Sequence, residues 1–231
     1  MVIVIVAHRA QPQKMKTVYK NRLPHIAPIG ATFFITFRLG DSLPRSVTEG
    51  IKAELEMLSK AIQLAKGEER KRYYNAYKRC YVRYDSFMDK EGYGACYLKQ
   101  SEIASIVKDK LHELDGTLYD LQAYCIMPNH VHLLIDTMEQ LKYLDDDFMA
   151  NIPEGYVQLD KIMKRIKGST ARYANLKLGR TGTFWQKDSY DHYVRNEREW
   201  NNILSYILNN PVKAGLAKDW EAWPHTFCKY P

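Results

Sequence analysis

Cysteine is scarce and scattered. The chain of 231 residues has four, Cys80, Cys96, Cys125 and Cys228, and no two stand at a Cys-x-x-Cys spacing. That excludes a zinc site built on paired thiolates, and a chain of this length needs no disulfide staples to hold a core. Free, partly buried thiols are the expectation, with Cys125 set in an apolar run. Long hydrophobic runs are missing as well. The apolar opening from Met1 to Ala7 ends at His8 and Arg9. It is too short to span a bilayer, and no basic segment precedes it as in a secretory signal. A soluble, intracellular protein of the cytoplasm is expected. With 45% hydrophobic and 26% charged residues, disorder, collagen and low-complexity classes are also excluded. No internal repeat is present.

Acids are absent from one long stretch. Between Lys161 and Arg180 stand Lys161, Lys164, Arg165, Lys167, Arg172, Lys177 and Arg180, so this segment alone equals the net charge of +7. A helix turns about 100° per residue. Lys161, Lys164, Arg165 and Arg172 then share one arc, with Leu159, Ile162, Met163, Ile166 and Tyr173 roughly opposite. The pattern is an amphipathic helix with a basic outer stripe. An ordinary solvated face mixes signs, so a stripe of one sign points to a polyanion, nucleic acid first. A second basic stretch, Arg70 to Arg83, is interleaved with Tyr73, Tyr74, Tyr77, Tyr81 and Tyr84. Such rings can stack on exposed bases, but at helical spacing they more often pack a core or a neighbouring helix.

Along the chain, residues 1–30 read as irregular. Ala31 to Arg38 is a strand, and Val47 to about Tyr84 is helix, bent near Gly67. Asp89 to Ala95 is a loop, and Gln100 to Leu114 is a helix closed by Asp115-Gly116. Leu118 to Met127 and His130 to Asp136 are paired strands around a tight Pro128-Asn129 turn. An acidic, irregular connection with Asp145, Asp146 and Asp147 leads to the basic helix. Thr183 to Val194 reads as one strand or a short hairpin. Asn196 and Glu199 form a capping box for a last helix that Asn210-Pro211 stops. The fold class expected is α+β: a ferredoxin-like antiparallel sheet in the order β-α-β-β-α-β, with a terminal helix and one sheet face left open. A single domain spans 1–231, with a helical insertion at about 66–114.

In Pro128-Asn129-His130-Val131-His132-Leu133-Leu134-Ile135, strand alternation sets His130 and His132 side by side while Val131, Leu133 and Ile135 point into the core. Two imidazoles can hold one divalent cation that takes at least one more ligand, although a pair on a half-exposed strand needs no metal. On the last helix, Asn202, Tyr206 and Asn210 form a stripe beside the apolar side of Trp200, Ile203, Leu204 and Ile207. Tyr206 is then an edge residue with a reachable phenol, which is also how an amphipathic tyrosine packs. Asn210, just before Pro211, is equally readable as the cap of a short turn.

Taken in order, P-N-H-V-H-L-L (128–134), the basic helix, T-G-T-F-W-Q-K-D (181–188), V-R-N (194–196) and Y-I-L-N-N-P-V-K-A-G-L (206–216) resemble the REP-associated tyrosine transposases, within the single-tyrosine HUH superfamily. The likeness covers about residues 20–225. It implies a ferredoxin-like fold, a metal pair at His130 and His132, and Tyr206 as nucleophile. Some relatives complete the metal site with a Gln four residues after the tyrosine. Here Asn210 stands there, with the same amide oxygen on a shorter arm. Lys187 and Arg195, inside two of the motifs, join Lys161, Lys164, Arg165 and Arg172 as residues expected on DNA.

The chemistry so implied is cleavage and rejoining of single-stranded DNA beside a hairpin, through a 5′-phosphotyrosine, with Mg²⁺ or Mn²⁺. His pairs also take Zn²⁺ or Ni²⁺. A zinc hydrolase is disfavoured because no further His follows at short spacing. The rival reading is a domesticated hairpin-binding protein without chemistry. Both a monomer and a homodimer are compatible with the sequence.

Overall fold

The structure is a computed structural model that describes residues 16–20, 24–88, 94–142 and 152–230. The acidic run Asp145, Asp146 and Asp147 and most of the loop at 89–95 lie outside the described residues. In chain order the elements are β1 (Lys16–Lys20), β2 (Pro24–Pro28), β3 (Thr32–Arg38), α1 (Arg45–Leu64), α2 (Gly67–Met88), α3 (Ser101–Glu113), β4 (Asp120–Ile126) and β5 (His130–Asp136). Then follow α4 (Leu159–Lys177), β6 (Tyr190–Tyr193), α5 (Glu197–Lys213) and β7 (Thr226–Cys228).

The main sheet has the order β6-β3-β5-β4-β7 and is antiparallel throughout. Its first four strands interleave two β-α-β units, which is the arrangement expected from the sequence. The central strand β3, T-F-F-I-T-F-R, is buried along its whole length, as its β-branched and aromatic residues favour. Phe33, Ile35 and Phe37 pair with Ile135, Leu133 and Val131 on one face. That face is closed by Ile103, Ala104, Val107 and Leu111 of α3 and by Leu159, Ile162, Met163 and Ile166 of α4.

The opposite face was expected to be open, and it is not. Ile207 of α5 and Tyr81 of α2 cover Phe34, Ala123, Cys125 and Leu134. Trp200 of α5 donates its indole N–H to Gln122 at 2.5 Å, and Trp223 donates to the Ile126 carbonyl at 3.0 Å. The reason is chemical: Phe34, Ala123, Cys125 and Leu134 are too apolar to face water, so the helix that carries Tyr206 packs down on them.

Other expectations need correction too. β1 and β2 pair antiparallel within the stretch read as irregular. Only Tyr190–Tyr193 of the aromatic segment is strand; before it, Trp185 bridges Leu39 and donates its indole N–H to Thr170 at 2.9 Å. On α4 the inward stripe drifts to Thr170 and Ala174, so Tyr173 is 56% exposed rather than packed. Pro211 does not stop α5, which runs on to Lys213. The pre-proline bias against helix is overridden because Asn210 is buried against His132, and Ala214 N–H to Asn210 O (3.0 Å) and Leu216 N–H to Pro211 O (2.9 Å) close the end. The start of α5 is as expected: Asn196 caps Glu199 N–H at 2.9 Å, although the Glu199 carboxylate reaches back to Arg195 N–H at 3.1 Å, one residue further than in a standard box.

Candidate active site

Antiparallel register sets Thr36 of β3 opposite His132 of β5, and Arg38 opposite His130. All four side chains are buried, both histidines completely. Thr36 Oγ1 lies 2.8 Å from His132 Nδ1, and Asn129 Oδ1 lies 2.6 Å from His130 Nδ1. With Asn129 accepting, His130 carries its proton on Nδ1 and turns the Nε2 lone pair toward His132. The two Nε2 atoms are 3.0 Å apart. Asn210, at the far end of α5, brings its amide to within 3.1 Å of His132 Nε2.

Burial holds both imidazoles neutral. It pulls His130 down to about 3, with help from the Arg38 guanidinium. It pulls His132 well below the ordinary range, with help from His130. Neutral imidazoles are the form that ligates a metal. Three observations bear on whether a divalent ion fits. A separation of 3.0 Å matches the edge of an octahedron with bonds of about 2.1 Å. The Asn210 Oδ1 is buried with no hydrogen-bond partner, and turning the amide over would present that oxygen instead of the nitrogen. Both outer nitrogens are held by side-chain oxygens, as ligating histidines require. No group of three or more His, Cys, Asp or Glu able to hold a metal occurs among the described residues. The donor set on offer is therefore two imidazoles and an amide.

Tyr206 stands one helical turn before Asn210. Its ring meets His132 edge to face, centroids 5.3 Å apart, and Phe34 at 5.9 Å. The residue is half-buried and borders a cavity of about 400 Å³ between α2 and α5. Lys213, one further turn along α5, places its ammonium 5.2 Å from the Tyr206 ring centre. The contact is between an exposed ammonium and the face of the ring.

The expected DNA residues divide into two places. Lys161, Lys164, Arg165 and Arg172 are exposed on α4, across the sheet from the histidines. The other three bases of that segment are engaged. Lys167 donates to the Gln186 and Lys187 carbonyls and to Ser189, at 2.6 to 3.1 Å, and burial lowers its pKa to about 8. Lys177 pairs with Glu102, and Arg180 lies over the Tyr97 ring. Lys187 is exposed on the loop before β6. Arg195 is exposed on the cavity side and rests over Tyr74 at 4.2 Å. The residues that sequence reasoning passed over are Thr36, Arg38, Asn129 and Lys213. Lys213 was reachable, at seven positions from Tyr206 on one helix face. Thr36 and Arg38 become visible only once the strand register is known.

No protein-family profile matches the chain. Over 115 residues it is 28% identical to the "Putative REP-associated tyrosine transposase" of Haemophilus influenzae, covering 47% of this chain and 58% of that protein. It is 26% identical over 106 residues to the REP-associated tyrosine transposase of Escherichia coli, covering 46% and 52%. The chain thus spans about half the length of the curated relatives it matches. In structure it is similar to a REP-associated tyrosine transposase solved bound to a REP hairpin, with a TM-score of 0.50 and 16% identity over 91% of this chain and 81% of that one. That likeness is one of fold. No described helix is long and apolar enough to cross a membrane.

Proposed function

We propose that this protein is a metal-dependent strand transferase of single-stranded DNA, a tyrosine transposase acting at hairpin-bearing repeats through a 5′-phosphotyrosine. The observation that carries the reading is the convergence of His130, His132 and Asn210 beside Tyr206, with the His132 and Tyr206 ring centres 5.3 Å apart. Both relatives above bear the name REP-associated tyrosine transposase, the Haemophilus influenzae one with the word "Putative", and the solved neighbour holds a REP hairpin. Both facts favour the same substrate class here.

His130, His132 and Asn210 Oδ1 would hold the divalent ion, Mg²⁺ or Mn²⁺. When bound, that ion supplies positive charge to a non-bridging phosphate oxygen and lowers the repulsion a nucleophile meets. Thr36 and Asn129 fix the two rings so that little reorganisation accompanies the reaction. Phe34 packs against both the His132 and Tyr206 rings and holds them in register. Tyr206 Oη attacks phosphorus. The bond from phosphorus to the 3′ oxygen breaks, leaving a free 3′-OH and a 5′-phosphate esterified to the tyrosine. Solvent in the open cavity takes up the phenolic proton, and the leaving 3′ oxygen takes one from solvent in turn. A 3′-OH can later reverse the step, so no nucleotide triphosphate is consumed. Arg195 beside the cavity, and Lys187 and the α4 stripe further off, would bind phosphates.

The deciding experiment incubates the protein with single-stranded hairpin repeats and Mg²⁺ or Mn²⁺, then separates products under denaturing conditions. A covalent protein–DNA band that needs the metal supports the reading. Tight hairpin binding with no covalent band under any divalent ion leaves the domesticated hairpin-binding alternative.

A further inference from the structure

The α1–α2 hairpin supplies none of the groups at the histidine pair, yet α2 is fixed firmly to β6 and α5. Tyr81 stacks on Tyr190 with centroids 3.4 Å apart and planes 16° apart, and Tyr77 stacks on the same ring. The Tyr74 hydroxyl meets His192 Nδ1 at 2.8 Å. Lys78 donates to Glu199 at 2.5 Å, and Arg38 donates to the Tyr84 hydroxyl. Such docking makes α2 a fixed wall.

What it walls is the cavity beside Tyr206. At about 400 Å³, it has the size that encloses one drug-sized group, such as a single nucleotide. Phe34, Tyr81 and Tyr190 supply aromatic surface to it. Its charged lining is Lys78, Arg195, Arg198 and Glu199. Lys78 offsets Glu199 through their ion pair, so Arg195 and Arg198 leave the lining positive. A floor of aromatic edges under a cationic rim suits one unpaired base and its phosphate, because every base has an apolar face and every nucleotide a negative charge.

We propose that this cavity is a nucleotide slot, in which one unpaired nucleotide of the strand entering at Tyr206 sets its base against the edges of the Phe34, Tyr81 and Tyr190 cluster and its phosphate at Arg195 and Arg198. The α1–α2 hairpin is the outer wall of the slot and gives it its preference for single strands. This rests on the reading of the substrate as single-stranded DNA, but not on the cleavage chemistry.

Val82 lines the slot and is 58% exposed, so Val82→Trp fills the slot without disturbing the core. Binding of a short, mixed-sequence single-stranded DNA, labelled with fluorescein, is measured by anisotropy without divalent ions. Wild type should bind, and Val82→Trp should bind at least about tenfold more weakly, with unchanged thermal unfolding and unchanged affinity for a blunt hairpin. Equal strand affinity in the two proteins overturns the slot, and so does failure of wild type to bind the strand. Arg198→Gln is exposed and cannot unfold the chain by core loss. It should lower the log–log salt slope for the same probe by about 0.7; an unchanged slope overturns the phosphate placement. If Val82→Trp loses the strand and wild type yields no covalent band, the slot stands and the transferase reading falls.

Discussion

The two faces of the sheet are built from alternate residues of the same strands, and they differ in kind. On one, Phe33, Ile35, Phe37, Val131, Leu133 and Ile135 meet apolar stripes of α3 and α4. On the other, Thr36, Arg38, His130, His132 and Asn210 are buried among Phe34, Cys125 and Leu134. Burying a polar group without a partner costs about 1–3 kcal/mol, and Asn210 Oδ1 is such a group among the described residues. The first face would serve any protein of this fold. The second is a worse core than an apolar one would be, so the residues that make it worse are the ones to connect with chemistry.

The sharpest way to break that comparison is at Tyr206. Tyr206→Phe keeps the ring and its contacts with His132 and Phe34. Adduct formation should vanish, while hairpin affinity and melting temperature stay put. A covalent band from this variant would move the nucleophile elsewhere, to Tyr190 or Tyr193 first.

His130→Ala and His132→Ala come next. Each should reduce cleavage by about 10²-fold or more, the scale of losing a principal electrostatic group, and leave most DNA affinity in place. Mn²⁺ should also stabilise wild type, by about 2.7 kcal/mol at a hundredfold excess over Kd, read as a raised melting temperature, and leave either variant unchanged. Full cleavage by the double variant would remove the metal from the reading. On the apolar face, Leu133→Ala should do the reverse. It removes a fully buried side chain and should cost about 2–5 kcal/mol of stability, read as a lower denaturation midpoint. Cleavage per folded molecule should be unchanged.

Acid should act on the polar side as well. His192, on the Phe34 face and beside Glu199, is held below the ordinary imidazole range by burial, and so is His225. Their folded pKa values lie below the unfolded value of about 6.5, so the unfolded chain binds more protons as pH falls. Stability is complete above that value and is lost as pH drops through it and below. Glu199, held below the usual carboxylate range despite its burial by His192 and Lys78, adds a further loss at lower pH. Urea midpoints should therefore fall between about pH 7.5 and about pH 5.5. Equal midpoints would mean that these imidazoles are not buried in the neutral form.

What could be read from the sequence divides along the same line. Alternation in β5 separates His130 and His132 from Val131, Leu133 and Ile135, and the structure keeps that separation. The order of elements from β3 to α5 and the capping of α5 by Asn196 were legible because each rests on local chemistry, whereas the short strands β1, β2 and β7 were not. The continuation of α5 through Pro211 was not, since a tertiary contact of Asn210 with His132 outweighs the local rule. The burial of the second face escaped for a similar reason. Tyr74, Tyr77 and Tyr81 at helical spacing say that something is covered, but not that it is β6 and its Tyr190.

The smallest expected effect concerns α4, which lies on the face away from the histidines. Lys167, Lys177 and Arg180 already have partners within the protein, while Lys161, Lys164, Arg165 and Arg172 stand exposed. If DNA wraps from the Tyr206 cavity around to this helix, changing those four to Gln should weaken binding and flatten its salt dependence. Each lost phosphate contact should reduce the log–log slope by about 0.7 for a single strand, or about 0.9 for a hairpin stem. Cleavage of DNA already bound should keep its rate, because no residue of the stripe lies on the histidine face. An unchanged slope would show that the stripe is only a solvated face, and that phosphates are gripped by Arg195 and its neighbours alone. A changed slope with an unchanged single-turnover rate would show that one side of the sheet holds the DNA while the other cuts it.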